Sequence, residues 1–312
     1  FGDQPIVAGI FYGVKPAVTA IVFQATHRIG SRALKNRTLW AISAAAFLAI
    51  FVANVPFPLI VVLASLAGYL GGIVHPESFK LGGGHAAAQK NFGPAVIDDQ
   101  TPIPAHARFS LGYAIQIGLI GGLLWSIPIG ILVSLFDWHG VYTQMGLFFT
   151  KAALMTFGGA YAVLPYVYQG AVEHFGWLSA SQMIDGLALG ETTPGPLIMV
   201  VAFVGFVGGY LAEVLGPGHL FLSGAVAATI VTWFTFLPSF IFILLGGPLV
   251  EATHGNLKLT APLTAISAAV VGVILNLALF FGYHTLWPSG FAGPFDALSA
   301  LIALAAFVAL FR

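Results

Sequence analysis

Two interruptions by glycine and proline divide a long apolar stretch, and both contain residue types that can bind an anion. They are Thr156-Phe157-Gly158-Gly159 and Glu191-Thr192-Thr193-Pro194-Gly195-Pro196. In lipid, broken helices persist only where the freed backbone groups face protein, water or a ligand. Freed N–H groups at a helix start donate hydrogen bonds and carry partial positive charge. A pair of such breaks is typical of the binding site of a transporter, and we predict an anion site there.

The residues at the interruptions fit this role. Gly158 and Gly159 let the backbone approach an ion closely, because glycine has no Cβ. Pro194, Gly195 and Pro196 end an arriving helix, and Pro196 suits the first turn of the next one. Hydroxyl groups beside the interruptions are further donors, and they belong to Thr156, Thr192 and Thr193.

Two charged residues accompany the interruptions. Lys151 lies seven residues before Gly158, so a continuous helix would place both on one face and let the ammonium group neutralise part of the anion's charge. Glu191 borders the second interruption, where an ionised carboxylate would repel an anion. We predict one of two roles for Glu191: it pairs with Lys151 when the site is empty, or it carries a proton that couples to transport.

Each of these features also has a plainer interpretation. Gly158-Gly159 could allow close helix packing, and residues 194–196 could form a loop outside the bilayer. Lys151 could be an interfacial lysine that extends its charge to water, and Glu191 a solvated loop carboxylate. Lys15, which interrupts an apolar segment, is either an interfacial anchor or part of a transport path.

Composition places the chain among helical membrane proteins. Hydrophobic residues make up 58% and charged residues 7% of the chain, whereas ordinary soluble domains contain about 25% charged residues. Lysine plus arginine balance aspartate plus glutamate at 11 each, so no basic surface indicates nucleic-acid binding. There is no cysteine, and no metal, phosphate or nucleophile motif is present. We therefore predict no cofactor, no metal site and no enzyme.

The apolar segments predict an all-α polytopic fold, and they are 6–27, 38–72, 111–136, 145–168, 196–215, 220–250, 259–283 and 297–311. Segment 38–72 is long enough for a hairpin turning at residues 54–56, and 220–250 is again of hairpin length, with Pro238 near its middle. Residues 180–190 could be re-entrant or interfacial, and Asp185 is predicted to be solvated. The polar stretch 75–108 is predicted to be a cytoplasmic linker between residues 1–74 and 109–312.

Basic residues and a weak repeat suggest how the segments are arranged. Positive charges at 28–37 and 80–108 precede and follow the hairpin in sequence. Because a hairpin returns the chain to the side from which it started, both groups are predicted to lie in the cytoplasm. Residues 17–21 resemble 262–266, and 39–51 resemble 298–311. We therefore predict two homologous halves, of which 1–74 is the C-terminal part of the first. The first half's own interruptions would then precede Phe1, so the chain is expected to be N-terminally incomplete.

Longer motifs resemble one family. The sequence KAALMTFGGAYAVLP at 151–165 is similar to the signature that opens the second half of chromate ion transporters, and FGWL at 175–178 and LALGETTPGP at 187–196 continue the resemblance. The sequence GVKPAV at 13–18 resembles a segment late in that family's first half. The order and spacing of these motifs agree with the family over nearly all of the chain outside the linker.

The resemblance implies a two-half carrier in the plasma membrane, the inner membrane of a bacterium, that exports chromate by alternating access. Its expected partners are chromate or sulfate and the lipid bilayer, and a homo-oligomer is one expected assembly. Three alternatives stay open, namely a carrier for sulfate or another anion, an anion channel, and a transport-incompetent half that acts as an assembly partner.

Overall fold

Every regular element in the computed structural model is helical among the residues it describes, which are 5–79, 110–156, 159–252 and 257–311. The α-helices of that part of the chain are α1 (Pro5–Ala33), α2 (Arg37–Ala53), α3 (Phe57–Val74), α4 (Pro76–Phe79), α5 (Leu111–Phe136), α6 (Val141–Leu154), α7 (Ala160–Tyr168), α8 (Ala180–Thr192), α9 (Val200–Leu211), α10 (Leu220–Ala252), α11 (Leu257–Leu286) and α12 (Ala297–Leu310). A π-helical turn, Gln169–His174, extends α7, and a 3₁₀ turn, Leu197–Met199, precedes α9.

Within the described residues, five helical segments are long and apolar enough to cross a bilayer, and they are Ala8–Ala33, Phe57–Val74, Leu111–Phe136, Pro217–Gly246 and Thr260–Leu286. Large apolar side chains remain exposed on their outer faces, for example Leu119, Leu123 and Ile127 on α5. In a bilayer, such faces are solvated by lipid rather than water. The predicted class, an all-α polytopic membrane protein, is confirmed.

The hairpin predicted within segment 38–72 is confirmed, and local chemistry explains its ends. The Asn36 side chain caps α2 by accepting a hydrogen bond from the Leu39 N–H at 3.0 Å. Asn54 ends α2 in the left-handed conformation with φ of 47°, which asparagine tolerates better than most residues. Pro56 then precedes α3. We call the end of the bundle at residues 54–56 the turn end and the end at residues 28–37 the basic end.

The expectation of a second hairpin in segment 220–250 is wrong. Helix α10 is continuous and passes through Pro238 without a turn. Membrane helices tolerate an internal proline because neighbouring helices and hydroxyl side chains satisfy the freed backbone groups. Helix α10 packs against α5, α6 and α9, and Thr235 donates a hydrogen bond to the Val231 carbonyl one turn before Pro238. The proline therefore lies inside a well-packed helix.

The predicted linker begins as folded structure. Helix α4 packs against α3 and α11, and Phe79 is buried between them. The rest of the linker, from residue 80 to 108, lies outside the described residues.

Two pairs of short helices enter the bundle from the turn end and return to it. Gln144 near the start of α6 and Gln169 after α7 line one cavity with Pro56, so both limbs of the α6–α7 pair reach the turn end. Ser181 on α8 and Tyr210 on α9 likewise line a second cavity together. Helices α6 and α8 are about 20 Å long, too short to cross a bilayer core of about 30 Å. The interruptions therefore form the tips of two re-entrant pairs, and residues 180–190 belong to the second.

The packing of the long helices is reciprocal. Helix α1 packs against α12, and α11 packs against α2. Helices α1 and α11 also contact each other and run antiparallel, because Thr19 lies 3.2 Å from Thr285 while Gly30 lies against Val271. By sequence similarity, α1 corresponds to α11 and α2 corresponds to α12. Each of α1 and α11 therefore packs against the helix that follows the other, which is the pattern expected of an inverted repeat. The division into two homologous halves stays a prediction.

Candidate functional site

The two interruptions start new helices with unusual backbone. Gly159 precedes α7 with φ of 106° and ψ of 179°, a conformation that essentially only glycine adopts. Gly195 has φ of 154°, and Pro196 precedes the 3₁₀ turn that leads into α9. Both interruptions thus place a helix N-terminus directly after glycine or proline.

These two N-termini meet in one cavity of about 290 Å³. The first interruption contributes Thr156 and Gly159, and the second contributes Pro196 and Leu197. Hydroxyl groups of α10 complete the wall, and they belong to Thr235 and Ser239. We call this the junction cavity. Residues of both interruptions therefore line one cavity, and anion binding there stays a prediction.

Backbone N–H groups are the donors that the junction cavity offers. At the start of α7 the first backbone hydrogen bond runs from the Ala162 N–H to the Gly159 carbonyl, at 3.0 Å. The N–H groups of Ala160 and Tyr161 come before it and have no carbonyl of their own helix to donate to. Leu197 and Ile198 precede the bond from the Met199 N–H to the Pro196 carbonyl in the same way. Such groups suit an oxyanion.

The threonine hydroxyls have other acceptors in this conformation. Thr156 donates to the Ala152 carbonyl at 2.8 Å, and Thr192 and Thr193 donate to carbonyls of α8 one turn earlier, at 2.8 and 2.6 Å. A hydroxyl has a single proton, so each would have to rotate before it could donate to an ion. The predicted hydroxyl contacts therefore stay predictions.

The other predicted residues near the interruptions are placed differently. Thr192, Thr193, Pro194 and Gly195 are exposed at the tip of the second re-entrant pair. Gly158 lies outside the described residues. Gly159 and Pro196 line the junction cavity, whereas residues 192–195 do not.

Lys151 does not line the junction cavity. It lines a separate cavity of about 670 Å³ at the turn end, together with Gln144, Gln169 and Glu173. The seven-residue spacing to Gly158 would align the two only in an unbroken helix, whereas α6 ends at Leu154. The early end of α6 separates the ammonium group from the interruption.

Glu191 has a partner that the sequence did not suggest. The Tyr161 hydroxyl donates a short hydrogen bond to Glu191 Oε1, across the two re-entrant pairs. Tyr161 lies two residues after the Gly-Gly pair, and this position beside the interruption is the sequence feature that could have identified it as a site residue. The contact links the first turn of α7 to the end of α8.

A second charged contact joins α1 to α8. Lys15 Nζ lies 2.8 Å from Asp185 Oδ1 and 3.3 Å from the Ser181 hydroxyl oxygen. About a quarter of each charged side chain is exposed. The prediction that Asp185 is a solvated carboxylate is wrong, because a residue 170 positions away in sequence supplies its counter-charge.

Apolar spanning helices and two re-entrant pairs define the class of multi-pass helical membrane proteins. More specifically, the chain belongs to the chromate transporter family, since the family model described as Chromate transporter matches residues 1–69 and 143–312.

Three curated relatives agree with this membership. A chromate transport protein of Pseudomonas aeruginosa is 34% identical over 85% of this chain and 53% of its own length. A chromate transport protein of Cupriavidus metallidurans is 30% identical over 47% of this chain and 33% of its own length. A probable chromate transport protein of Synechococcus elongatus is 27% identical over 46% of this chain and 33% of its own. The chain thus spans about half the length of the first relative and a third of the others. No solved structure matches it.

Proposed function

We propose that the protein is a secondary transporter of tetrahedral oxyanions that exports chromate across the plasma membrane, in bacteria the inner membrane. Relatives named for chromate transport support a transporter over an enzyme and chromate as the first substrate to test. Sulfate has the same shape and charge, so we propose it as a competing substrate.

The junction cavity is the observation that carries the proposal. A dianion needs several donors and positive potential in a place where water does not screen them. Two helix N-termini that meet in a cavity of about 290 Å³ supply both without a fixed cation. We propose that chromate binds there to the N–H groups of Ala160 and Leu197.

The two re-entrant pairs support alternating access as the proposed mechanism. Both tips lie at the junction cavity while their limbs reach the turn end, so a shift of the pairs against α10 would change which side reaches the site. We propose that the basic end is cytoplasmic and that a second subunit, in a homo-oligomer, completes the path.

The test is flux in liposomes that contain the purified protein, with pH and voltage set independently. We expect labelled chromate flux that saturates and that unlabelled chromate and sulfate inhibit. Protein-free liposomes are the blank. Flux proportional to concentration without saturation would favour a channel. Flux no greater than in the blank would contradict the proposal for this chain.

A further inference from the structure

The Lys15–Asp185 pair lies in a cavity that the proposed oxyanion site does not use. This cavity has a volume of about 1000 Å³ and lies at the turn end, between α1, α8, α9, α11 and α12. We call it the pair cavity. It is separate from the junction cavity, with which it shares no lining residue.

Asp185 has fewer hydrogen-bond donors than a buried, ionised carboxylate usually has. Its Oδ1 atom is buried and lies 2.8 Å from Lys15 Nζ, but no aligned hydrogen bond from a described group reaches that atom. A buried carboxylate oxygen normally has both a counter-charge and well-directed donors. The ion pair alone therefore stabilises the charge on this oxygen.

Four other titratable groups line the pair cavity. They are Tyr12 on α1, Tyr210 on α9, His284 on α11 and Asp296 before α12. Asp296 accepts the Tyr12 hydroxyl at 2.7 Å and the Ser299 N–H at 2.9 Å, and His284 Nδ1 lies 3.0 Å from the Phe280 carbonyl. Of the two carboxylates that line this cavity, Asp185 is therefore the one whose ionised form accepts fewer hydrogen bonds.

Charge counting indicates which ion the pair cavity admits. Lys15 contributes one formal positive charge and Asp185 and Asp296 contribute two formal negative charges, so these three side chains together carry one net negative charge. A dianion is repelled by such a lining. One proton on Asp185 makes the lining neutral and leaves the Lys15 ammonium without its counter-ion.

We propose that Asp185 is a proton-binding site and that its protonation frees Lys15 to accept an oxyanion in the pair cavity. The proton comes from the solution at the turn end and binds a carboxylate oxygen of Asp185, and the Lys15 ammonium keeps its charge throughout. The oxyanion part of this proposal rests on the proposed function, whereas the proton site does not. Proton and oxyanion then bind together, so each raises the affinity for the other.

The test compares the wild type with Asp185→Asn in liposomes that contain the purified protein. If only the protonated form binds the oxyanion, apparent affinity falls about tenfold for each pH unit above the midpoint. Flux of labelled sulfate, which unlike chromate stays a dianion throughout, is measured between about pH 5 and about pH 8, a range that covers carboxyl groups shifted by burial. We expect a wild-type change of tenfold or more, and a change within about twofold for Asp185→Asn, whose side chain imitates the protonated acid in charge.

Glu173→Gln is the control, because Glu173 is an exposed carboxylate that lines other cavities at the turn end and not the pair cavity. We expect it to keep the wild-type pH dependence. Asp185→Asn flux with the wild-type pH dependence would overturn the proposal.

An infrared titration of the carboxyl C=O band separates the proton site from transport. A band that appears on acidification in the wild type and in Glu173→Gln but not in Asp185→Asn supports the proton site, even if chromate flux is absent and the proposed function fails. An unchanged band in Asp185→Asn would overturn it. If Asp185→Asn does not fold, Lys15→Gln is used instead, and the band must then appear at a higher pH than in the wild type. The same pH as in the wild type would exclude the pair as its origin.

Discussion

Replacing Gly159 by alanine tests whether the start of α7 supplies donors to the oxyanion. Gly159 has φ of 106° and ψ of 179°, and a Cβ at this position would meet no atom within 4 Å. The substitution therefore introduces backbone strain without a clash. Strain of this kind costs about 1–3 kcal/mol. The strain is relieved if the peptide before α7 rotates, which turns the Ala160 N–H away from the junction cavity.

The structure offers a matched control in the loop before α10. Gly216 has φ of 91° and ψ of 162°, and its Cβ would also meet open space. Gly216→Ala should therefore cost the same stability as Gly159→Ala while leaving the junction cavity intact. A cost of about 1–3 kcal/mol at the site corresponds to roughly 5- to 150-fold in apparent affinity. We expect that loss of chromate affinity for Gly159→Ala only.

Concentration dependence of flux, measured beside thermal unfolding of each variant, decides between the outcomes. Equal losses of affinity in both variants would mean that strain acts through overall stability. Wild-type affinity in Gly159→Ala would show that the amides of α7 do not bind the ion, and the reasoning from the Gly-Gly interruption would fail.

Three further substitutions test other parts of the structure. Gly272→Ala should prevent close packing of α11 on α2 and lower the thermal unfolding temperature, because its Cβ would lie 2.1 Å from a backbone oxygen of α2. Gly122→Ala is the control: its Cβ would meet no described atom within 4 Å, so the substitution should be neutral or stabilising. Tyr161→Phe leaves Glu191 without its donor and should lower flux as Glu191→Gln does; wild-type flux in both would remove the contact from the mechanism. Asp296→Ala should cost about 1 kcal/mol or less at neutral pH, because the carboxylate caps α12. Hydrogen bonds from the Ser299 backbone N–H and from the Tyr12 hydroxyl lower the pKa of the Asp296 carboxyl in the folded protein. The carboxylate therefore stabilises the fold above the unfolded pKa of about 3.9, and this stabilisation is lost as the pH falls further. A difference in unfolding temperature from the wild type that persists unchanged in acid would contradict this assignment.

Local sequence chemistry predicted those elements whose ends depend on neighbouring residues. The turn at residues 54–56 follows from an asparagine that accepts the left-handed conformation and a proline that cannot continue α2. Pro238 carries the same local signal for a break, yet α10 continues through it. The difference lies in the packing of α10 against three other helices, which no window of local sequence contains.

In the candidate site, too, local sequence predicted some features, whereas others depend on tertiary structure. The two interruptions were predicted to share a pocket, and Thr156, Gly159 and Pro196 line one. The placement of Lys151 failed because periodicity extends a helix past its actual end at Leu154. The partner of Asp185 could not be predicted from spacing, since a contact between α1 and α8 depends on tertiary structure alone.

Helix α8 connects the two cavities physically. Asp185 and Glu191 lie six residues apart on it, a rise of about 9 Å, and the Ser179–Gln182 capping box fixes its first turn. One end of the helix is held to α1 by Lys15, and the other is held to the first turn of α7 by Tyr161. A short, capped helix moves more readily as a unit than it bends, so release of Lys15 at one end changes what restrains Glu191 at the other. Through these two contacts, one short helix links the pair cavity to the first turn of α7 beside the junction cavity.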